Sequence, residues 1–217
     1  HLYDFVWHQF CDWYVEAAKL PLYGEDPERR AEVLRVLHYV FSHILRLLHP
    51  SMPFITEELW RGMGYDAWSE SLLCAPWPEA LEADALEAFG VDGEVVDYVD
   101  AKHDGIRIAR QLKADFGVPP SREVAFVLRP ANEQYRAWIE ADRASIASLL
   151  RAREISVQPA DTPPAPHPAA VSALGTVLMP VEGLLDIEAE LEKLGAQRTR
   201  LEGEIERVER KLGNEAF

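Results

Sequence analysis

The sequence predicts a mainly α-helical protein: a helical bundle, then a small α+β unit, then a C-terminal coiled coil. Three observations carry this. Apolar residues recur at three- and four-residue steps over most of positions 1–117, alternation replaces that rhythm near residue 123, and a heptad seam begins at residue 184. The chain accordingly divides into 1–117, 118–183 with a Pro-rich loop at 159–168, and 184–217.

Residues 1–20 read as a helix, with Leu2, Phe5, Val6, Phe10, Trp13 and Ala17 on its apolar stripe and Pro21 as its end. A second helix opens with Asp26 as N-cap and Pro27 at the first helical position, where the missing N–H costs nothing. Its stripe of Leu34, Leu37, Phe41, Ile44, Leu45 and Leu48 runs to Pro50. A shorter helix runs from Pro53 through Trp60 and stops at Gly62 and Gly64. Beyond a Trp-rich stretch (Trp68, Trp77) and an acidic segment comes another long helix. Val95, Val99, Ile106 and Ala109 form its expected buried face, and Gly117 followed by Pro119-Pro120 closes it.

Residues 123–128 alternate as a strand does, with Val124, Phe126 and Leu128 on one face. A helix is expected over 132–151, a short strand over 154–158, and an extended piece over 176–181 after the prolines. From Ile187 through Leu191, Leu194, Leu201, Ile205, Val208 and Leu212 the steps alternate between four and three, broken at Arg198. One helix of about 28 residues would span roughly 42 Å. Gly195, costly inside a helix, equally permits a turn and an antiparallel hairpin, and the sequence leaves both open.

Composition narrows the class. Of the 217 residues 48% are hydrophobic and 27% charged, the balance of a globular protein. No apolar run approaches the roughly 20 residues of a spanning helix, and residues 1–4 lack the basic start of a signal peptide. The chain opens inside a helix without an initiator Met and is expected to belong to something longer. Two cysteines, Cys11 and Cys74, favour a reducing, cytoplasmic setting. A net charge of −15 argues against nucleic acid at first sight, yet nine acidic residues between Glu79 and Asp104 face only Lys102, so much of it is local.

Catalytic signals are absent from the residues: no Gly-rich phosphate loop, no nucleophile elbow, no histidine pair at metal-ligand spacing. His38 and His43 read as satisfied helix histidines, and Glu57-Glu58 as favourable charges in a first helical turn. RNA contact calls for cations and aromatics on one face. Arg107, Arg110 and Lys113 recur at three-residue steps, and Arg200, Arg207, Arg210 and Lys211 suit one side of the terminal helix. Arg198, charged on an apolar seam, marks a break, a turn or a contact. Trp7, Trp13 and Tyr14 read as core by spacing, an exposed one being suited to stacking on a base.

Four stretches together resemble the valyl-tRNA synthetase family of class I. They are YDFVWHQFCDWYVEAAK (3–19), VLHYVFSHILRLLHPSMPFITEELW (36–60), GIRIARQLKADFGVPPSREV (105–124), and MPVEGLLDIEAELEKL through ERKLGNEAF (179–217). The second is shared with isoleucyl and leucyl enzymes, and the last two favour valine. The resemblance implies the carboxy-terminal part of an enzyme that joins valine to tRNA-Val with ATP. A helical bundle would read the anticodon, and the terminal coiled coil would rest on the outer corner of the tRNA. The signatures His-x-Gly-His and Lys-Met-Ser-Lys-Ser are missing, as is an editing domain, so this stretch is expected to be non-catalytic and to need no cofactor. ATP would act in the full-length enzyme. The implied partners are tRNA-Val and the catalytic body of the same enzyme, with no membrane. On that resemblance Arg107, Arg110 and Lys113 would contact backbone phosphates, and Arg198, Arg200, Arg207, Arg210 and Lys211 the tRNA corner. The alternatives are the same region of an isoleucyl or leucyl enzyme, or a helical protein-interaction module indifferent to RNA.

Overall fold

The computed structural model describes residues 1–159, 162, 167–181 and 187–212, with 187–194 and 210–212 described by backbone alone. Most of the Pro-rich loop and residues 184–186 and 213–217 of the expected coiled coil lie outside the described residues.

The chain is mainly helical with one small mixed sheet. It opens with α1 (Leu2–Asp4), which runs into a π-helical segment, Phe5–Val15, and then α2 (Glu16–Tyr23). This corrects the expectation of one plain helix ending at Pro21. A π-helix bonds i to i+5, so its side chains drift from a 3.6-residue pattern; Phe10 is buried, Trp13 half-buried and Phe5 exposed. Pro21 lies inside α2, and the chain turns extended only at Gly24 (φ −72°, ψ 173°). Packing of α2 on α3, with Ala18 buried, offsets the one bond the proline removes.

Helix α3 (Pro27–Leu48) starts as its sequence dictates, the Asp26 carboxylate accepting from Glu28 N and Arg29 N. Helix α4 (Pro53–Gly62) packs back on α3 and ends where Gly64 adopts φ +74°. Trp60, Tyr65, Leu45 and Leu72 close a small core there, and Trp60 Nε1 donates to Ser69 O at 3.0 Å. The short helix α5 (Ala83–Ala88) carries part of the acidic segment.

Helix α6 (Gly93–Asp115) ends in a Schellman cap. Val118 N donates to Lys113 O and Gly117 N to Ala114 O, with Gly117 at φ +64°. Of its expected face Ile106 and Ala109 are buried and Val95 and Val99 half-buried, joined by Tyr98, Ala101 and Leu112. That face packs against the sheet as well as against helix α7 (Glu133–Leu150), so α6 builds the larger core together with β-strands.

The sheet has the order β2-β1-β4-β3, from β1 (Val124–Pro130), β2 (Ala152–Val157), β3 (Ala169–Ser172) and β4 (Gly175–Leu178). β1 and β2 run parallel, joined through α7, while β4 is antiparallel to both β1 and β3. Val124, Phe126 and Leu128 are buried on one face of β1, as the alternation required. Strand β3 was not foreseen in the sequence. Its hairpin to β4 turns at Ala173-Leu174 and enters β4 at Gly175, φ +135°, where a Cβ would lie 2.1 Å from Arg129 O.

Helix α8 (Ile187–Leu212) is continuous through Gly195, which decides for one helix over a hairpin. Every side chain described in it, from Gly195 to Glu209, is exposed, including Leu201 at 57%, Ile205 at 57% and Val208 at 53%.

Candidate nucleic-acid interface

The cationic strip of α6 does not present one face. Arg107 reaches solvent with its side chain 72% exposed and pairs with Asp104 one turn back. Asp104 also accepts from Ala173 N at 2.8 Å, so it holds the β3–β4 turn and Arg107 together. Arg110 is anchored inward: Nη2 donates to Leu149 O at 2.7 Å at the end of α7, and the guanidinium lies 5.5 Å from the Trp13 ring centroid.

Lys113 is the correction. It is 3% exposed, and its Nζ donates to Arg122 O at 2.7 Å and Pro120 O at 3.3 Å. Burial, then the nearby Arg151 and Arg110, lower its pKa against the opposing pull of Glu123. It ties down the loop after α6 and offers nothing to a phosphate. The reason is geometric. Steps of three lag the 3.6-residue turn by about 60°, so Lys113 has rotated roughly 120° from Arg107, onto the face of the buried Ile106 and Ala109.

On α8, Arg198 lies 3.4 Å from Glu202 and Arg200 3.1 Å from Glu204, with the two arginine side chains 78% and 81% exposed. Arg207 is exposed as well. Surface pairs of this kind are worth about 0–1 kcal/mol, so a phosphate can displace the carboxylate at little cost. Arg200 and Arg207, seven residues apart, share a face with about 10 Å between them along the axis. The side chains of Arg210 and Lys211 lie outside the described residues. Arg107, Arg110, Arg198, Arg200 and Arg207 are therefore the predicted site residues that the structure leaves exposed, Arg110 while bonded to Leu149 O.

A cluster not foreseen in the sequence centres on Trp13. The His103 ring stacks on it at 4.0 Å and 12°, and Arg110 approaches the same indole. Burial, and secondarily Lys102, hold the His103 pKa down at about 4, with Asp100 opposing. The signal was legible: His103 and Arg110 are two turns apart on one helix face. Nearby, Asp142 Oδ2 accepts from Lys102 Nζ at 2.8 Å and from Tyr98 Oη at 3.1 Å, joining α7 to α6. Burial, followed by the Asp142 carboxylate, pushes the Tyr98 hydroxyl pKa up. Of the other aromatics named from sequence, Tyr14 is half-buried and Trp7 is 55% exposed.

Glu57 does more than sit in a helical turn. Its carboxylate accepts from Leu72 N at 2.9 Å, Ser71 Oγ at 3.1 Å and Arg61 Nε at 3.0 Å, fastening the loop after α4. Those bonds outweigh its burial and lower its pKa. His38 meets Tyr65 Oη at 2.8 Å and His43 meets Tyr39 O at 2.7 Å, the satisfied histidines expected of helix positions. Among the described residues no group of three or more His, Cys, Asp or Glu could hold a metal ion, and no helix is long and apolar enough to cross a membrane.

The class of protein is given by the comparisons with known sequences. The family described as anticodon-binding domain of tRNA ligase matches residues 1–128, and the chain belongs to that family. Several similar proteins carry the name valine–tRNA ligase. The chain is 38% identical, along its whole length, to a valine–tRNA ligase of Geobacillus kaustophilus, of which it covers 24%. The valine–tRNA ligase of Bacillus subtilis is 33% identical over the whole chain, again with 24% of that relative covered. That of Xylella fastidiosa (strain M12) is 36% identical, with 22% covered. The chain thus spans about a quarter of the length of these relatives. The isoleucyl, leucyl and interaction-module readings are not favoured.

Proposed function

We propose that this chain is the tRNA-handling, non-catalytic part of a valine–tRNA ligase, an enzyme of the cytoplasm that attaches valine to tRNA-Val. ATP would be used by the remainder of the enzyme, and this part would need no cofactor of its own. The observation that carries the reading is the anticodon-binding family match over residues 1–128, continued by valine–tRNA ligases to the end of the chain. On this reading the helices of 1–117 approach the anticodon arm, 118–183 is a supporting unit, and 184–217 is a coiled-coil arm that meets the tRNA corner. The exposed arginines of α8 support the last of these, while its open seam of Leu201, Ile205 and Val208 calls for a protein partner. Arg107, Arg198, Arg200 and Arg207 would neutralise phosphates, and Arg110 would position Trp13 rather than meet RNA itself.

The test is a titration of labelled tRNA-Val and a non-cognate tRNA at two salt concentrations. Affinity should fall steeply with salt, each lost phosphate contact flattening the log–log slope by about 0.9. Arg200→Glu with Arg207→Glu should weaken binding while helix content stays constant, and Arg107→Ala should do so to a smaller degree. Equal, salt-independent binding of both tRNAs, or parent affinity in the charge-reversed variant, would refute the assignment.

A further inference from the structure

Helix α4 has an apolar face wider than the bundle covers. Thr56 and Trp60 are 1% and 2% exposed, buried toward Leu45 and Tyr65. Beside them Met52, Ile55, Leu59 and Met63 remain 44%, 53%, 38% and 42% exposed. At 3.6 residues per turn these four positions fall within an arc of about 80°, one unbroken stripe from the helix's N-cap to its C-cap. Glu57, Glu58 and Arg61 occupy the opposite side. The stripe is the kind of surface a helix buries against protein, left here in solvent.

We infer that the Met52–Ile55–Leu59–Met63 stripe is the seat of the body of the ligase, the part of the polypeptide that precedes residue 1 in a full-length enzyme. The inference rests on the reading of this chain as one part of such an enzyme. One observation and one general principle select that occupant. The chain accounts for only 24% of the Geobacillus relative, so about three quarters of such a protein is available to cover it. A tethered body meets the stripe at the high effective concentration of an intramolecular contact, which a second copy of the chain lacks. The stripe's chemistry points the same way. Two thioethers and two aliphatic chains offer neither a ring for a base to stack on nor a cation for a phosphate, so the surface suits a protein core and not RNA.

The chain's methionines supply the test, because Met52 and Met63 lie on the stripe and the third, Met179, is 0% exposed. Thioether oxidation by peroxide follows solvent access. Rates at each methionine are compared by mass spectrometry in the 217-residue chain and in the full-length ligase that contains it. Met52 and Met63 should oxidise several-fold more slowly in the longer protein, with Met179 slow in both. Ile55→Asp with Leu59→Asp in the full-length protein should return both rates to those of the shorter chain. Equal rates in the two proteins overturn the inference. So does protection in the shorter chain that grows with its own concentration, which identifies a second copy, or that appears on adding tRNA, which identifies RNA. Failure of tRNA binding in the titration above would leave the oxidation result standing, so the two readings fall separately.

Discussion

Lowering the pH should loosen the contact between the N-terminal helices and α6, and the His103–Trp13 stack sets the size of the effect. In the unfolded chain the imidazole takes its proton near 6.5; in the folded chain burial delays this to about 4. A base with a depressed folded pKa contributes its full share above the unfolded value. That share drains away as pH falls from 6.5 toward 4, where the unfolded state holds the extra proton. At pH 5 the ceiling is about 2 kcal/mol, taking roughly 1.4 kcal/mol per pH unit. The ring is only partly buried, so water screens the charge and about 1 kcal/mol is the working figure. His103→Phe keeps a flat ring against Trp13 and removes the titration. Urea unfolding of both proteins at pH 7.5 and pH 5 isolates the term, since the carboxylates and the other histidines cancel in the difference. The parent should lose about 1 kcal/mol more than the variant. Equal losses would show that His103 does not feel the burial its position implies.

Gly175→Ala should be severe, with a loss of about 3 kcal/mol or more in urea unfolding, because φ is +135° and a Cβ would sit 2.1 Å from Arg129 O. Gly195→Ala, with nothing within 4 Å of the added carbon, should raise helicity by circular dichroism and stability by about 0.5–1 kcal/mol; a fall would reinstate the hairpin at that position. Lys113→Met should cost about 1–3 kcal/mol by leaving the Pro120 and Arg122 carbonyls without their donor, while tRNA affinity per folded molecule stays unchanged.

Where local chemistry governs, the sequence was readable. Asp26-Pro27 caps α3, Gly117 caps α6, and the alternation of residues 124–128 buries one face of β1. Position in three dimensions was harder. Pro21 looked like a stop because a lost hydrogen bond is visible in sequence and compensating packing on α3 is not. Strand β3 has four residues, too few for alternation to register, and exists by pairing with β4. The cationic strip was a chance of spacing. Arg107, Arg110 and Lys113 differ in surroundings, one in solvent, one at the end of α7 and one sealed under its own loop. The exposed arginines of α8 were legible because nothing described packs over them.

The point at which sequence kinship stops is not a point at which the molecule can be cut. The anticodon-domain match ends at residue 128, inside β1, which pairs with β2 on one side and β4 on the other. A cleavage there would leave five residues of a central strand on one piece and two on the other, with unpaired amides and carbonyls along both neighbours. Cutting after Gly117 would sever Val118 from its bond to Lys113 O and Lys113 from the carbonyls of Pro120 and Arg122. Recombination that swaps anticodon readers between ligases would therefore have to carry α6, α7 and all four strands together, as one heritable block.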